Sequence, residues 1–105
     1  MRSIFTKDFN KCAITNIYKG ARRIEVHHVF GAANRKKSTR RGFVVPLVAE
    51  IHPNGAYRDE KECKRLTGRS IKDLDLYLKQ ICQKYYEQVY GTRREFIEEF
   101  GRNYL

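Results

Sequence analysis

Arg23-Ile24-Glu25-Val26-His27-His28-Val29-Phe30 is the stretch whose reading decides the fold. Its β-branched residues and its alternation of apolar and polar positions predict a strand over 23–30. Two of the chain's three histidines stand side by side near its end. The third, His52, follows a second such run, Phe43-Val44-Val45-Pro46-Leu47. Proline has no backbone donor, so Pro46 places this second strand at a sheet edge or a bulge. Successive side chains on a strand point to opposite faces. His27 and His28 are therefore expected to do different work, not to act as equivalent ligands.

Between the two runs lie Gly31-Ala32-Ala33, Asn34 and the most basic segment of the chain, Arg35-Lys36-Lys37-Ser38-Thr39-Arg40-Arg41. The small, flexible Gly31-Ala32-Ala33 opens a basic loop over 34–42, too long for a tight hairpin turn. Its cations Arg35, Lys36, Lys37, Arg40 and Arg41 are candidate phosphate contacts beside the histidines. The plainer reading is solvated charge. The distribution of charge argues for the former. Residues 1–48 hold 11 Lys and Arg against two acids, whereas 49–105 hold 11 against 10. One-signed charge on part of a small chain is the footprint of a nucleic-acid or anionic-surface binder.

Outward from this centre, residues 1–11 read as an extended arm or short strand continued by Cys12–Thr15, with a turn over 16–21. After the second strand, 48–52 could begin a helix, but Pro53 stops it and Asn54-Gly55 turns the chain. A helix is predicted over 59–66, ending at Gly68. Ser70 caps a longer helix to about Tyr90, with Asp73 at its third position. Ile71, Leu74, Leu78, Ile81, Cys82, Tyr85 and Val89 form its apolar face. Thr92 and Glu95 make a capping box for a last helix with Phe96, Ile97 and Phe100 inward.

A length of 105 residues fits one domain. The expected division is an α+β core over 1–57 and a helical scaffold over 58–105. Three cysteines without a CxxC pair argue against a disulfide framework and a zinc ribbon. No signal peptide or long apolar run appears, so a reducing cytoplasm and no membrane partner are expected.

The chemistry such a chain could support is phosphodiester hydrolysis. That reaction needs an activated water and charge on the phosphate and the leaving oxygen. A neutral imidazole can serve as the base. Candidate metal donors are His27, His28 and His52, with Asn34, Asn54, Glu25, Glu50 and Asp59 as oxygen ligands. Taken singly, each has a plain structural reading: a surface histidine, a turn asparagine.

Val26-His27-His28-Val29-Phe30, the small-residue turn into Asn34-Arg35-Lys36, and Val44-Val45-Pro46-Leu47 followed by His52 together resemble the HNH endonucleases. The chain is similar more narrowly to small bacteriophage HNH-like proteins, whose ends also look like Phe96-Ile97 and Phe100-Gly101-Arg102-Asn103-Tyr104-Leu105. The resemblance implies a ββα-metal core, a hairpin and helix gripping one divalent ion, with a C-terminal helical extension. It implies His27 and His52 as metal ligands and His28 as the base that activates water. The ion would be Mg²⁺ or Mn²⁺, with Zn²⁺ or Ni²⁺ also suited to imidazoles. The implied substrate is DNA, double-stranded or branched, inside a bacterial host cell. A homodimer or a recombination partner of phage or host would supply specificity. The chain departs from the family at two places. Gly42-Phe43 stand where an asparagine normally braces the loop that orients the base, and Asn34 is the nearest substitute. Pro53, Asn54 and Tyr57 occupy the region of a further ligand, and of these Asn54 offers an oxygen. The rival readings are a phage accessory protein that binds nucleic acid on the same fold without cutting, and a protein-binding accessory factor.

Overall fold

A computed structural model describes residues 1–105. The chain is α+β: β1 (Ile24–His28), α1 (Arg35–Arg41), β2 (Val44–Val48), α2 (Glu60–Thr67), α3 (Ile71–Val89) and α4 (Arg93–Phe100), with single 3-10 turns at Ala32–Asn34 and Ala49–Ile51. β1 and β2 form a two-stranded antiparallel sheet in which Glu25 faces Leu47 and His27 faces Val45. β1 is shorter than predicted: Val29 and Phe30 leave the strand and both turn into the core.

Pro46 sits opposite Val26 in the middle of β2. Its carbonyl accepts from the Ala13 amide at 2.9 Å, so its backbone edge faces the N-terminal arm and not β1. The missing N–H therefore costs the ladder nothing. The arm itself is not a strand. It covers the outer edge of β2 through bonds from Ile4 to the Gly42 carbonyl and from Ser3 to the Val44 carbonyl. Cys12–Thr15 form a turn rather than continuing a strand.

The basic segment expected as a loop is helix α1. Arginine and lysine are good helix formers, and the segment holds no proline or glycine. It showed no amphipathic period because its only buried side chain is Ser38, a polar residue. Gly42 ends the helix at φ 81°, a conformation that glycine adopts without strain. A side chain there would also collide with Arg2 at 2.8 Å.

The C-terminal helices follow their signals closely. Asp59 caps α2, Ser70 caps α3 through the Asp73 amide, and Thr92 and Glu95 complete the capping box of α4. Two inward assignments fail: Val89 and Ile97 are exposed. On α3 the buried face passes instead through Gln83 and Tyr86. Gln83 is buried because the C-terminal tail folds back over it: its amide donates to Asn103 and accepts from the Tyr104 amide. A single hydrophobic cluster runs from Cys12 and Val29 through Val45 and Leu47 to Leu74, Leu78 and Phe100. Phe30, Phe43, Phe96 and Phe100 form its aromatic end, with ring centroids 4.5–5.9 Å apart in the contacting pairs. The three cysteines are buried and unpaired. No helix is long and apolar enough to cross a membrane.

Candidate functional site

β1 ends at His28, so strand parity separates the two histidines only in part. His27 is 2 % exposed, and His28 is more open. Yet both border one depression of about 250 Å³, together with His52, Asn54 and Arg35. A water occupies about 30 Å³ of liquid, so the depression has room for a phosphate group with several waters. The three histidines, 25 residues apart in sequence from first to last, thus reach one concave surface.

His52 stands just after the 3-10 turn Ala49–Ile51, not on an α-helix. Its Nδ1 donates to Glu25 Oε1 at 2.8 Å. Glu25 also accepts from Arg23 at 3.0 Å. Burial works to raise the Glu25 pKa, but His52 and Arg23 outweigh it and hold the carboxyl below its ordinary value. With Nδ1 engaged by Glu25, Nε2 is the His52 nitrogen left for another partner. Gly55 seats this pair, since a Cβ there would meet Glu25 Oε1 at 2.9 Å and the His52 ring at 3.0 Å. Glu25 is thus the orienting partner of a histidine.

The His27 ring lies edge-on to the His52 ring, centroids 4.9 Å apart. Its Nε2 is buried without a hydrogen-bond partner. Asp75 Oδ1, on α3, is 3.8 Å away, within ion-pair range but beyond a hydrogen bond. Burial, reinforced by the neighbouring His52, outweighs the Asp75 carboxylate and holds His27 below its ordinary pKa.

His28 Nε2 lies 3.1 Å from Thr39 Oγ1 on α1. Thr39 donates its one hydroxyl proton to the Arg35 carbonyl at 3.3 Å. In that arrangement the hydroxyl accepts from His28 Nε2–H, and Nδ1 is the nitrogen that keeps the lone pair. Burial, and then the positive Arg35, push the His28 pKa down.

The remaining expected residues divide. Arg35, Lys36 and Arg40 are exposed on α1, and Arg35 borders the depression. Arg41 is turned to α4, where its guanidinium binds both oxygens of Glu99 at 2.7 and 2.9 Å. Lys37 donates to the Glu99 carbonyl at 2.8 Å. The Asn34 amide donates to the Phe100 carbonyl at 3.2 Å, so its side chain ties α1 to α4 and does not border the depression. Glu50 lies toward Arg22, and Asp59 caps α2.

The turn that follows β1 is held by Ser38. Its hydroxyl accepts from the Phe30 amide at 3.0 Å and donates to the Phe30 carbonyl at 2.7 Å, fully buried. Sequence reasoning missed Ser38, a serine within a run of cations. Asp75 was equally invisible in the sequence, where it is one more acid on a polar helix face.

The histidine donors suit a divalent ion: one imidazole has its tautomer set by a carboxylate, and the other presents a buried, unpartnered nitrogen. No three His, Cys, Asp or Glu side chains already stand at full ligand spacing, so waters or substrate oxygens would complete the coordination. Comparison of the chain with family models, with curated proteins and with solved structures gives no significant match in any of the three.

Proposed function

We propose that the chain is a metal-dependent endonuclease of ββα-metal type that hydrolyses DNA phosphodiesters at the His27–His28–His52 depression. The observation that carries this reading is the convergence of three histidines in three different settings on one concave surface rimmed by Arg35. His27 and His52 would hold the ion, with Asn54 beside them, and the ion supplies Lewis-acid charge to the phosphate and the leaving oxygen.

The protein's own groups divide the remaining work. His28 takes a proton from water at Nδ1, the nitrogen that Thr39 leaves free. Its depressed pKa keeps the imidazole neutral near pH 7. Glu25 orients His52, and Ser38 holds the Phe30 turn behind His28. Arg35 meets the phosphate from the rim, with Lys36 and Arg40 along the exposed side of α1.

The test is nicking of a supercoiled plasmid with Mg²⁺, Mn²⁺, Zn²⁺ or Ni²⁺ supplied in turn. His28→Ala is expected to lower the rate about 100-fold or more, the usual contribution of a general base. Undiminished nicking by His28→Ala would remove the base assignment. A second reading, a nucleic-acid-binding module that does not cut, is favoured by the absence of a fully gathered three-donor set. It predicts salt-sensitive DNA binding by the same surface with no nicking in any metal.

A further inference from the structure

The His27 Nε2 atom poses a problem that the hairpin alone does not solve. It is buried, it has no hydrogen-bond partner, and the nearest charged group is a carboxylate oxygen 3.8 Å away. A protonated Nε2 would draw that oxygen to about 2.8 Å, the ordinary length of a charge-assisted hydrogen bond. An unprotonated Nε2 faces it as one acceptor against another, which is unfavourable in a buried setting unless a cation lies between them. The spacing suits a cation. With metal–nitrogen and metal–oxygen bonds of about 2.0–2.2 Å, two donors on one ion lie between about 3 Å and just over 4 Å apart, depending on the angle at the metal.

The other side of Asp75 is arranged to leave this oxygen free. Oδ2 accepts from Lys79 one helical turn away, at 2.8 Å, while Oδ1 turns toward His27. Asp75 also borders a second depression, lined by Pro53, Arg58 and Lys72, which shares Asn54 with the histidine depression.

We propose that Asp75 is a ligand of the divalent ion, bound through Oδ1 from α3 opposite His27 Nε2, so that the site is closed by the helical extension as well as by the hairpin. This rests on reading His27 and His52 as a metal site. It answers the departure noted in the sequence: the position shortly after His52 offers only Asn54 and Tyr57, and the charged donor comes from a different helix. The ion would then join β1 to α3.

Cobalt(II) alone is the probe, because its visible spectrum reports the donors bound to it. Wild type, His27→Ala, Asp75→Asn and Asp75→Cys are titrated with Co²⁺ by absorption and by calorimetry, with circular dichroism confirming that each is folded. Asp75 is partly exposed, which favours folded variants. The wild type is expected to bind one Co²⁺, and Asp75→Asn to bind at least about tenfold more weakly. Asp75→Cys is expected to bind and to show a thiolate-to-cobalt charge-transfer band in the near ultraviolet. The wild type should lack that band, because its three cysteines are buried in the core away from this site. Asp75→Asn binding as tightly as wild type, or a folded Asp75→Cys that binds Co²⁺ without the band, overturns the assignment of Asp75 alone. A wild type that binds no Co²⁺ overturns the metal reading of the histidines and this inference with it.

Discussion

At the scale of single residues, the two adjacent histidines differ because each has a different neighbour on another element. His27 faces Asp75 of α3, and His28 faces Thr39 of α1. Adjacency in sequence singled the pair out as candidates; it could not show these partners, which lie 48 and 11 residues away. On the proposed reading Thr39 is a positioning residue that acts on the His28 tautomer. Thr39→Val keeps the shape of the side chain and removes the hydroxyl. The nitrogen-15 spectrum of the imidazoles is expected to show His28 shifting from the Nε2-protonated form toward a mixture. Nicking should slow about tenfold with KM nearly unchanged, since the loss falls on the reacting geometry. An unaltered His28 tautomer in Thr39→Val would mean that Thr39 does not set it. Ser38 teaches the same lesson about legibility. A serine in a run of cations carries no sequence signal, yet it makes both hydrogen bonds that fix the Phe30 turn.

At the scale of elements, α1 is held between the sheet and α4. Asn34, Lys37 and Arg41 all reach the last turn of α4 or its carboxylate, and Arg41 also stacks 4.6 Å over the Tyr90 ring. Glu99 is the centre of this clamp. The bidentate bond from Arg41 outweighs burial and holds the Glu99 carboxyl below its ordinary value near 4.5. A carboxyl whose pKa is lowered by folding contributes stability above its unfolded pKa and loses it as pH falls through its folded pKa. Glu99→Gln is therefore expected to destabilise the protein by about 2 kcal/mol at pH 7, the scale of a charged hydrogen bond. The difference from wild type should shrink as pH falls below about 4.5. Urea unfolding of both proteins at pH 7 and across the acid range measures it; an equal difference at every pH would mean that the charge of Glu99 is not what stabilises α1 against α4. The clamp also explains what was legible. The capped helices α2, α3 and α4 were readable because their signals are local: Asp59, Ser70 and Thr92 cap from within a few residues. Helix α1 was not, because it has no apolar stripe and is held by charge and by Tyr86 and Tyr90 against Arg41. Val89 was misplaced for a related reason: the buried face of α3 was set by the returning tail on Gln83, a contact between residues 20 apart.

At the scale of the whole molecule, the charge asymmetry has to be corrected for cations that the fold uses internally. The sequence offered five equivalent phosphate contacts in 35–41. The structure separates them into Lys37 and Arg41, which hold α4, and Arg35, Lys36 and Arg40, which remain exposed on α1. Arg40 approaches Glu99 only at 3.9 Å, and its side chain is 63 % exposed, so it stays available to a partner. Arg35 adjoins the histidines, which places the exposed row continuous with the candidate site. Affinity for duplex DNA should then depend on salt in a residue-specific way. Each phosphate contact removed lowers the slope of log affinity against log salt by about 0.9. Arg35→Gln, Lys36→Gln and Arg40→Gln are each expected to lower the slope by about that amount in anisotropy titrations across salt concentrations. Lys37→Gln is expected to leave the slope unchanged while lowering thermal stability, because its ammonium is bound to the Glu99 carbonyl and not directed at solvent. Equal loss of slope in Lys37→Gln and Arg35→Gln would show that the DNA does not follow the exposed row of α1. No loss in any of the four would take the nucleic acid off this face altogether, leaving the histidines to act on a smaller substrate or on none.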